Sequence, residues 1–217
     1  MDDLVFTGND PSLLQQFKKD MMSTYEMSDL GLLHYFLGIE VSQTKNGIFI
    51  SQKKYAENLL KKFNLSNCKT VATPLMSNEK MKKCNGAKNA DATKYQSLIG
   101  SLLYLTATRP DIMFASSMFS RYMEEPSQLH FGAGKRVLRY VQGTVDYAII
   151  YKDEARSSRL IGYTDSDWVG CLDDMKSTSA YVFYLGSRIC SWRTKKQSVV
   201  AQSSAEAEYV AAAKAAS

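Results

Sequence analysis

The C-terminal third of the chain carries the pattern that most constrains its fold. Four runs rich in β-branched and aromatic residues are separated by turn residues and followed by a segment rich in alanine. The runs are DYAIIYKD, RLIGYTDSDWVG, STSAYVFYLGS and RICSWRTKKQ, and the final segment is SSAEAEYVAAAKAAS. β-Branched and aromatic residues favour strands, whereas alanine favours helix. The pattern therefore predicts a β-meander that runs into one helix.

This region contains carboxylates at spacings that suit metal binding. Asp165 and Asp167 are two residues apart on a predicted strand, so their side chains share one face. Carboxylates held close together call for a cation. In the final helix, the S-x-x-E sequence that ends at Glu206 has the form of a capping box, which directs that side chain back to a backbone amide. Glu208 is then the helix carboxylate that remains for chemistry.

Helical patterns prevail in the chain up to residue 145. The segments PSLLQQFKKDMMSTY and QKKYAENLLKKFN have apolar residues at helical spacing, and an Asn-Gly pair between them joins two strand-like runs into a predicted hairpin. Residues 76–94 are polar and lysine-rich, which predicts a flexible connection. Three more helices are predicted over 95–145, two of them beginning at Pro110 and Pro126. Together with the meander, this order predicts an α+β fold.

The N-terminal sequence MDDLVFTGND places two adjacent acids, Asp2 and Asp3, directly before the apolar run Leu4-Val5-Phe6. The run predicts a buried strand, and adjacent carboxylates at its entrance are costly unless a cation lies between them. A metal site is one interpretation. These residues alone favour the other interpretation, a solvated N-terminus.

Composition restricts the class of protein. Hydrophobic residues make up 45% of the chain, yet no apolar run approaches the length of a membrane span and no secretory signal opens the sequence. We therefore expect a soluble, intracellular chain. The four cysteines and two histidines show no zinc-site spacing. The formal net charge of +5 fits an anionic partner such as nucleic acid.

One candidate basic surface lies on the last helix predicted before residue 145. Lys135, Arg136 and Arg139 lie together on one face of this helix, where they would track a phosphate backbone. A solvated helix face explains the same residues, and without further context it is the interpretation that the pattern favours.

Eight segments, in order and spacing, resemble the Pol polyprotein of copia-type LTR retrotransposons, particularly those of plants. They are DDLVFTGND, DLGLLHYFLGIEV, GIFISQKKYAENLLKKF, TPL, YQSLIGSLLYLTATRPDI, KRVLRYVQGT, YTDSDWVGCLDDMKSTSAY and SSAEAEY. The resemblance covers nearly the entire chain, and eight collinear motifs make chance similarity very unlikely. It spans the C-terminal part of reverse transcriptase and the first part of the ribonuclease H domain.

The resemblance implies an organisation for the α+β chain. Residues 1–75 would be the end of the reverse transcriptase palm and the start of the thumb, and residues 76–94 the flexible connection. Residues 95–145 would be the helical thumb and connection. Residues 146–217 would be the N-terminal part of a ribonuclease H-like domain, an incomplete β-β-β-α unit.

The resemblance also implies two sites in which acids hold two Mg²⁺ ions. Asp2 and Asp3 resemble the acid pair of the polymerase, although Met1 stands where the family usually has valine and the preceding tyrosine is absent. Asp165 and Glu208 resemble the first two acids of ribonuclease H. Asp167 and Glu206 are the fallback assignments. Because the family's further ligands fall outside these 217 residues, we expect the chain alone to be catalytically silent.

Nucleic acid, as RNA–DNA hybrid or primer–template, is an implied partner, as is the remainder of the Pol polyprotein; no membrane is implied. A full element would form a cytoplasmic particle. The implied backbone contacts are Lys53, Lys54, Lys61, Lys62, Lys135, Arg136 and Arg139. Two functions stay open: an inactive fragment of Pol, or a non-catalytic module that binds RNA–DNA hybrid or duplex. An independent metal nuclease that uses Asp165, Asp167 and Glu208 is the least favoured alternative.

Overall fold

The structure is a computed structural model of the chain and describes residues 4–76, 81–152 and 159–217. These residues form six α-helices and seven strands. The helices are α1 (Pro11–Thr24), α2 (Lys53–Lys62), α3 (Ala92–Leu105), α4 (Met113–Phe119), α5 (Gln128–Gly143) and α6 (Ser204–Ala216). The strands are β1 (Tyr35–Phe36), β2 (Ile39–Thr44), β3 (Gly47–Ser51), β4 (Ile149–Tyr151), β5 (Leu160–Asp167), β6 (Thr178–Leu185) and β7 (Arg188–Lys196).

The predicted buried strand at Leu4-Val5-Phe6 is wrong. These residues are irregular, and each is at least 42% exposed. No described strand pairs with them, and an unpaired strand leaves its backbone donors and acceptors to water. The helix predicted next is confirmed as α1, whose first turn is capped because the Asp10 carboxylate accepts the backbone amides of Ser12 and Leu13.

The first sheet is antiparallel, with the strand order β1-β2-β3-β4. The predicted hairpin is confirmed, since β2 pairs with β3 and Thr44 pairs with Gly47 across a two-residue turn. Strand β4, from the run DYAIIYKD, also pairs with β3. The prediction that this run belongs to the later meander is therefore wrong: pairing with β3 satisfies its backbone and leaves Ile149 only 8% exposed.

The hydrophobic core lies among the helices α2 to α5. The apolar stripe predicted on α2 packs here, with Leu59 and Leu60 buried and Phe63 partly buried. Helices α3 and α4 are joined by the buried hydroxyl of Tyr95, which donates to the carbonyl of Phe119 at 3.0 Å. The large side chains that are fully buried include Tyr95, Leu98, Ile99, Leu102, Leu105, Ile112, Phe119, Val137, Leu138 and Val141.

Residues 81–91, the described part of the predicted connection before α3, have an irregular backbone that is bonded to the start of α5. The amide of Ala90 donates to the carbonyl of Pro126 at 2.8 Å, and the amide of Gln128 donates to the carbonyl of Lys88 at 2.8 Å. Backbone groups that find partners in this way hold an irregular segment in place.

The buried residue His130 reinforces this junction. Its Nδ1 accepts the backbone amide of Ser127 at 3.1 Å, while Ser127 Oγ accepts the amide of His130, which forms a reciprocal cap of α5. Its Nε2 lies 3.0 Å from the carbonyl of Lys82, and its ring stacks on Tyr122. Burial lowers the pKa of His130, and the contact with the Lys82 carbonyl opposes this shift.

The second sheet has the antiparallel order β5-β6-β7, and α6 packs against β5 and β6. Three strands followed by a helix are thus present, as the sequence predicts. The sheet contacts the helical core, because Trp192 Nε1 donates to the carbonyl of Thr106 and Ser117 Oγ donates to the carbonyl of Thr194, both at 3.0 Å.

The architecture is a mixed α/β fold with two antiparallel sheets and six helices in the described residues. The sequence prediction of a chain that mixes helices with antiparallel strands is confirmed. Within the described ranges, every helix is too short or too polar to cross a membrane.

Candidate functional site

Asp165 and Asp167 lie on β5, an edge strand of the second sheet. β5 pairs regularly with β6 through both residues, so strand alternation places their side chains on the face opposite to that of Ser166. Asp165 is exposed. Its carboxylate is therefore open to solvent and to a ligand.

Asp167 has a different environment from Asp165. Its carboxylate is half-buried and accepts the backbone N–H of Thr178, and it packs so closely on Gly170 that any Cβ there would overlap with it. Partial burial raises the pKa of Asp167, and the nearby charge of Asp165 adds to the rise, whereas the Thr178 hydrogen bonds and Arg121 oppose it. Contacts with Thr178 and Gly170 thus fix the position of the Asp167 carboxylate.

The two glutamates of α6 have separate roles. Glu206 Oε2 accepts the amide of Gln202 at 2.8 Å, and the amide of Glu206 donates to Ser203 Oγ at 3.1 Å. These bonds confirm that Glu206 caps its own helix. Glu208 Oε1 accepts the backbone amide of Ser166 at 3.2 Å. Glu208 therefore reaches the backbone of β5 between the two aspartates.

Sequence reasoning missed Gln197, which supports this arrangement. The residue is 1% exposed, and its Nε2 lies 2.9 Å from the carbonyl of Ala207 on α6. The same nitrogen lies 3.2 Å from Ser166 Oγ on β5 and 2.9 Å from Ser179 Oγ on β6. One buried amide thus connects the helix with both strands. Gln197 is a single polar residue after Lys195 and Lys196, and it belongs to no repeating pattern of apolar residues that would have revealed this role.

The acid pair of Asp165 and Glu208 has donors that Mg²⁺ prefers. Proteins usually hold Mg²⁺ through one or two carboxylates, while water and phosphate complete its coordination. In the part of the chain that the structure describes, no group of three or more His, Cys, Asp or Glu side chains is arranged to hold a metal ion. The described residues thus do not assemble a full two-metal ligand set around these two acids. The other predicted pair, Asp2 and Asp3, lies outside the described residues.

The predicted phosphate contacts on α2 lie at its two ends and are all exposed. They are Lys53, Lys54, Lys61 and Lys62. Lys53 forms an ion pair with Asp146, and Lys62 Nζ donates to Ser97 Oγ at 2.7 Å. These two lysines therefore have partners within the chain.

The predicted contacts on α5 divide in the same way. Arg136 donates to Thr73 Oγ1 at 3.2 Å, and Arg139 Nε donates to the carbonyl of Lys69 at 2.8 Å. Both arginines thus tie α5 to the loop that follows α2. Lys135 is exposed, and its Nζ lies 4.8 Å from the centre of the Phe131 ring.

Comparison with known proteins relates the chain to one family of proteins. Residues 1–77 match the family model of reverse transcriptase (RNA-dependent DNA polymerase). The chain is 41% identical over 209 residues to the retrovirus-related Pol polyprotein from transposon RE1 of Arabidopsis thaliana. The aligned region covers 96% of the chain and 14% of that polyprotein.

Two shorter relatives match over most of their own length. The uncharacterized mitochondrial protein AtMg00810 of Arabidopsis thaliana is 39% identical over 213 residues, which covers 98% of the chain and 88% of that protein. The putative transposon Ty5-1 protein YCL074W of Saccharomyces cerevisiae is 31% identical over 215 residues, which covers 98% of the chain and 70% of that protein. No solved structure shows a significant match.

These matches define a reverse transcriptase-related segment of a retroelement. The chain belongs to the Pol polyprotein family of copia-type retrotransposons, which confirms the family that the sequence motifs predict. It corresponds to a fragment that spans 14% of the length of the RE1 polyprotein.

Proposed function

We propose that Asp165 and Glu208 form the first part of a ribonuclease H-type Mg²⁺ site, and that the 217-residue chain is catalytically silent by itself. The observation that carries this proposal is the hydrogen bond from the Ser166 amide to Glu208 Oε1, which joins the helix to the first strand of a β-β-β-α unit. The resemblance of YTDSDW and SSAEAEY to the family supports the same assignment.

The chain's own residues would position this site. Gln197 holds the helix carbonyl of Ala207 near Ser166, and Glu208 is oriented by the Ser166 amide, so little ordering is required when a ligand arrives. A bound Mg²⁺ would offset the charge of the acids and polarise a phosphoryl oxygen of the RNA strand. Two carboxylates alone would hold the ion weakly, which is the reason for the proposed silence.

The proposal extends to the rest of the segment. Residues 1–75 would be the end of the polymerase palm and the start of the thumb, in which Asp2 and Asp3 would be the polymerase acid pair, and residues 95–145 would be thumb and connection. The match of residues 1–77 to the reverse transcriptase family supports the part of this assignment that concerns residues 1–75. Primer–template, RNA–DNA hybrid and the rest of Pol would be the partners.

A second candidate function is non-catalytic binding of RNA–DNA hybrid or duplex. The exposure of Lys54, Lys61 and Lys135 favours it, because exposed cations release counterions when they contact phosphates. The intramolecular partners described above leave a smaller role for the other predicted contacts, Lys53, Lys62, Arg136 and Arg139.

A Mg²⁺ titration that follows backbone amides by NMR tests the metal site. We expect the Ser166 amide to shift saturably in the wild type, and the shift to be lost in Asp165→Asn and in Glu208→Gln. Glu124→Gln, which alters an exposed acid outside the unit, is the matched control and should keep the response. A response that survives in both acid variants, or that is absent from the wild type, contradicts the proposal.

A further inference from the structure

A second cluster of ionisable side chains, apart from the acid pair, lies where the loop that joins β5 to β6 meets the end of β7. Cys171 is buried, and its Sγ lies 3.7 Å from Nζ of Lys196, the last residue of β7. The same Nζ lies 2.8 Å from Asp174 Oδ2. Although burial opposes ionisation, hydrogen bonds from Lys196 and from the Cys171 thiol hold the pKa of Asp174 at about 2. A thiol, an ammonium group and a carboxylate are thus in mutual contact.

The backbone fixes the thiol and the ammonium group relative to each other. The amide of Cys171 donates to the carbonyl of Lys176 at 3.0 Å, and the amide of Met175 donates to the carbonyl of Cys171 at 2.9 Å, which closes the turn. Lys196 pairs with Thr178 in the sheet. The side chains of Lys196 and Asp174 are 30% and 36% exposed, so a small solute can reach the cluster from the side of these two residues.

We propose that Cys171 and Lys196 form a covalent sulfur–nitrogen cross-link, a sulfenamide, when the folded chain meets a peroxide. The Cys171 thiol first takes one oxygen from hydrogen peroxide and becomes a sulfenic acid, and the peroxide is reduced to water. Sulfenic acids then condense with nearby thiols or nitrogen atoms. The other three cysteines serve as comparisons within the chain, since Cys84 and Cys190 are exposed and Cys68 is partly exposed.

The condensation balances without a further oxidant. The Lys196 ammonium first passes one proton to solvent, and the lone pair of the resulting amine then attacks the sulfur of the sulfenic acid. The sulfur–nitrogen bond forms, the sulfur–oxygen bond breaks, and a second proton from the nitrogen leaves with the hydroxide as water. Sulfur has lost two electrons overall, and the peroxide has gained them. The bond would tie the turn to the end of β7, beside Thr178, whose amide binds Asp167.

Peptide mapping of the peroxide-treated chain tests the proposal. We expect a joined pair of peptides that contains Cys171 and Lys196, lighter by two hydrogens than the sum of the two and separated again by a thiol reductant. The link requires proximity, so the same treatment in a denaturant should not produce it. In Lys196→Arg, which keeps a cation beside Asp174, the sulfenic acid should persist and react with dimedone.

Two results on the wild-type chain would overturn the proposal, and neither requires a variant to fold. One is oxidation of Cys171 to sulfinic or sulfonic acid with Lys196 unmodified. The other is a reduced Cys171 in chains whose Cys84 and Cys190 are already oxidised.

Discussion

Glu208 Oε1 accepts the backbone N–H of Ser166 at 3.2 Å, and this hydrogen bond joins helix α6 to the edge strand β5. Ser166 lies between Asp165 and Asp167, so the contact brings acids from distant parts of the sequence to one strand. Gln197 supports the same junction because its side chain lies near both Ser166 Oγ and the carbonyl of Ala207. The candidate site therefore depends on packing between the helix and the sheet.

Asp167→Asn should stabilise the chain at neutral pH. Burial raises the pKa of Asp167 in the folded chain, so its favourable contribution is present below the unfolded value of 3.8 and is lost as the pH rises through the folded pKa. Asparagine keeps an oxygen for the Thr178 amide without the buried charge. Thermal melts at pH 7 should show a Tm higher by about 1–4 °C, with a smaller difference near pH 3. A lower Tm for this variant at pH 7 would show that the charge is needed.

His130 should make the folded chain sensitive to mild acid. Burial lowers the pKa of His130 below the value of about 6.5 expected in the unfolded chain, so its contribution is present above that value and is lost as the pH falls. The free energy of unfolding should fall by up to about 1.4 kcal/mol per pH unit below pH 6.5. Chemical denaturation between about pH 5 and pH 7.5, which spans the unfolded-chain value of about 6.5, measures the slope.

The two histidines of the chain provide a matched comparison for this measurement. His130→Gln keeps a side chain that suits the cap of α5 and should remove part of the pH dependence. His34→Gln, at an exposed position, should leave the slope unchanged. Equal slopes in the wild type and His130→Gln would mean that other groups cause the acid sensitivity.

The exposed lysines should control the salt dependence of nucleic-acid binding. If Lys54, Lys61 and Lys135 contact phosphates, replacing all three by Ala should weaken binding to RNA–DNA hybrid and lower the slope of log K against log salt by roughly 2–3. Sequence preference should be absent in both proteins. Fluorescence anisotropy over a salt series measures the slope.

Arg136 and Arg139 are the comparison set for this prediction. Because they bind Thr73 Oγ1 and the carbonyl of Lys69, their replacement by Ala should lower Tm and change the salt slope less than the lysine replacements do. An unchanged slope in the lysine variant would assign those three residues to a solvated surface.

Sequence patterns predicted those elements that depend only on residues close together in the chain. The hairpin depends on Asn-Gly between two apolar runs, and the cap at Glu206 depends on residues within one helical turn, so both are visible in the sequence. The partner of β4 is set by packing against β3, and the role of Gln197 by three separate elements. Leu4-Val5-Phe6 has the composition of a strand, but a strand also needs a neighbour, which composition does not supply.

The central claim is that Asp165 and Glu208 together bind a divalent cation, and the thermal stability of the chain in Mg²⁺ tests it most directly. At a Mg²⁺ concentration ten times Kd, binding to the folded state alone stabilises it by about 1.4 kcal/mol and raises Tm by roughly 3–5 °C. We expect this rise in the wild type and in Glu124→Gln, its loss in Asp165→Asn, and no cleavage of the RNA strand of a hybrid. An equal rise in Asp165→Asn would contradict the metal site, and Mg²⁺-dependent cleavage would contradict the proposed silence.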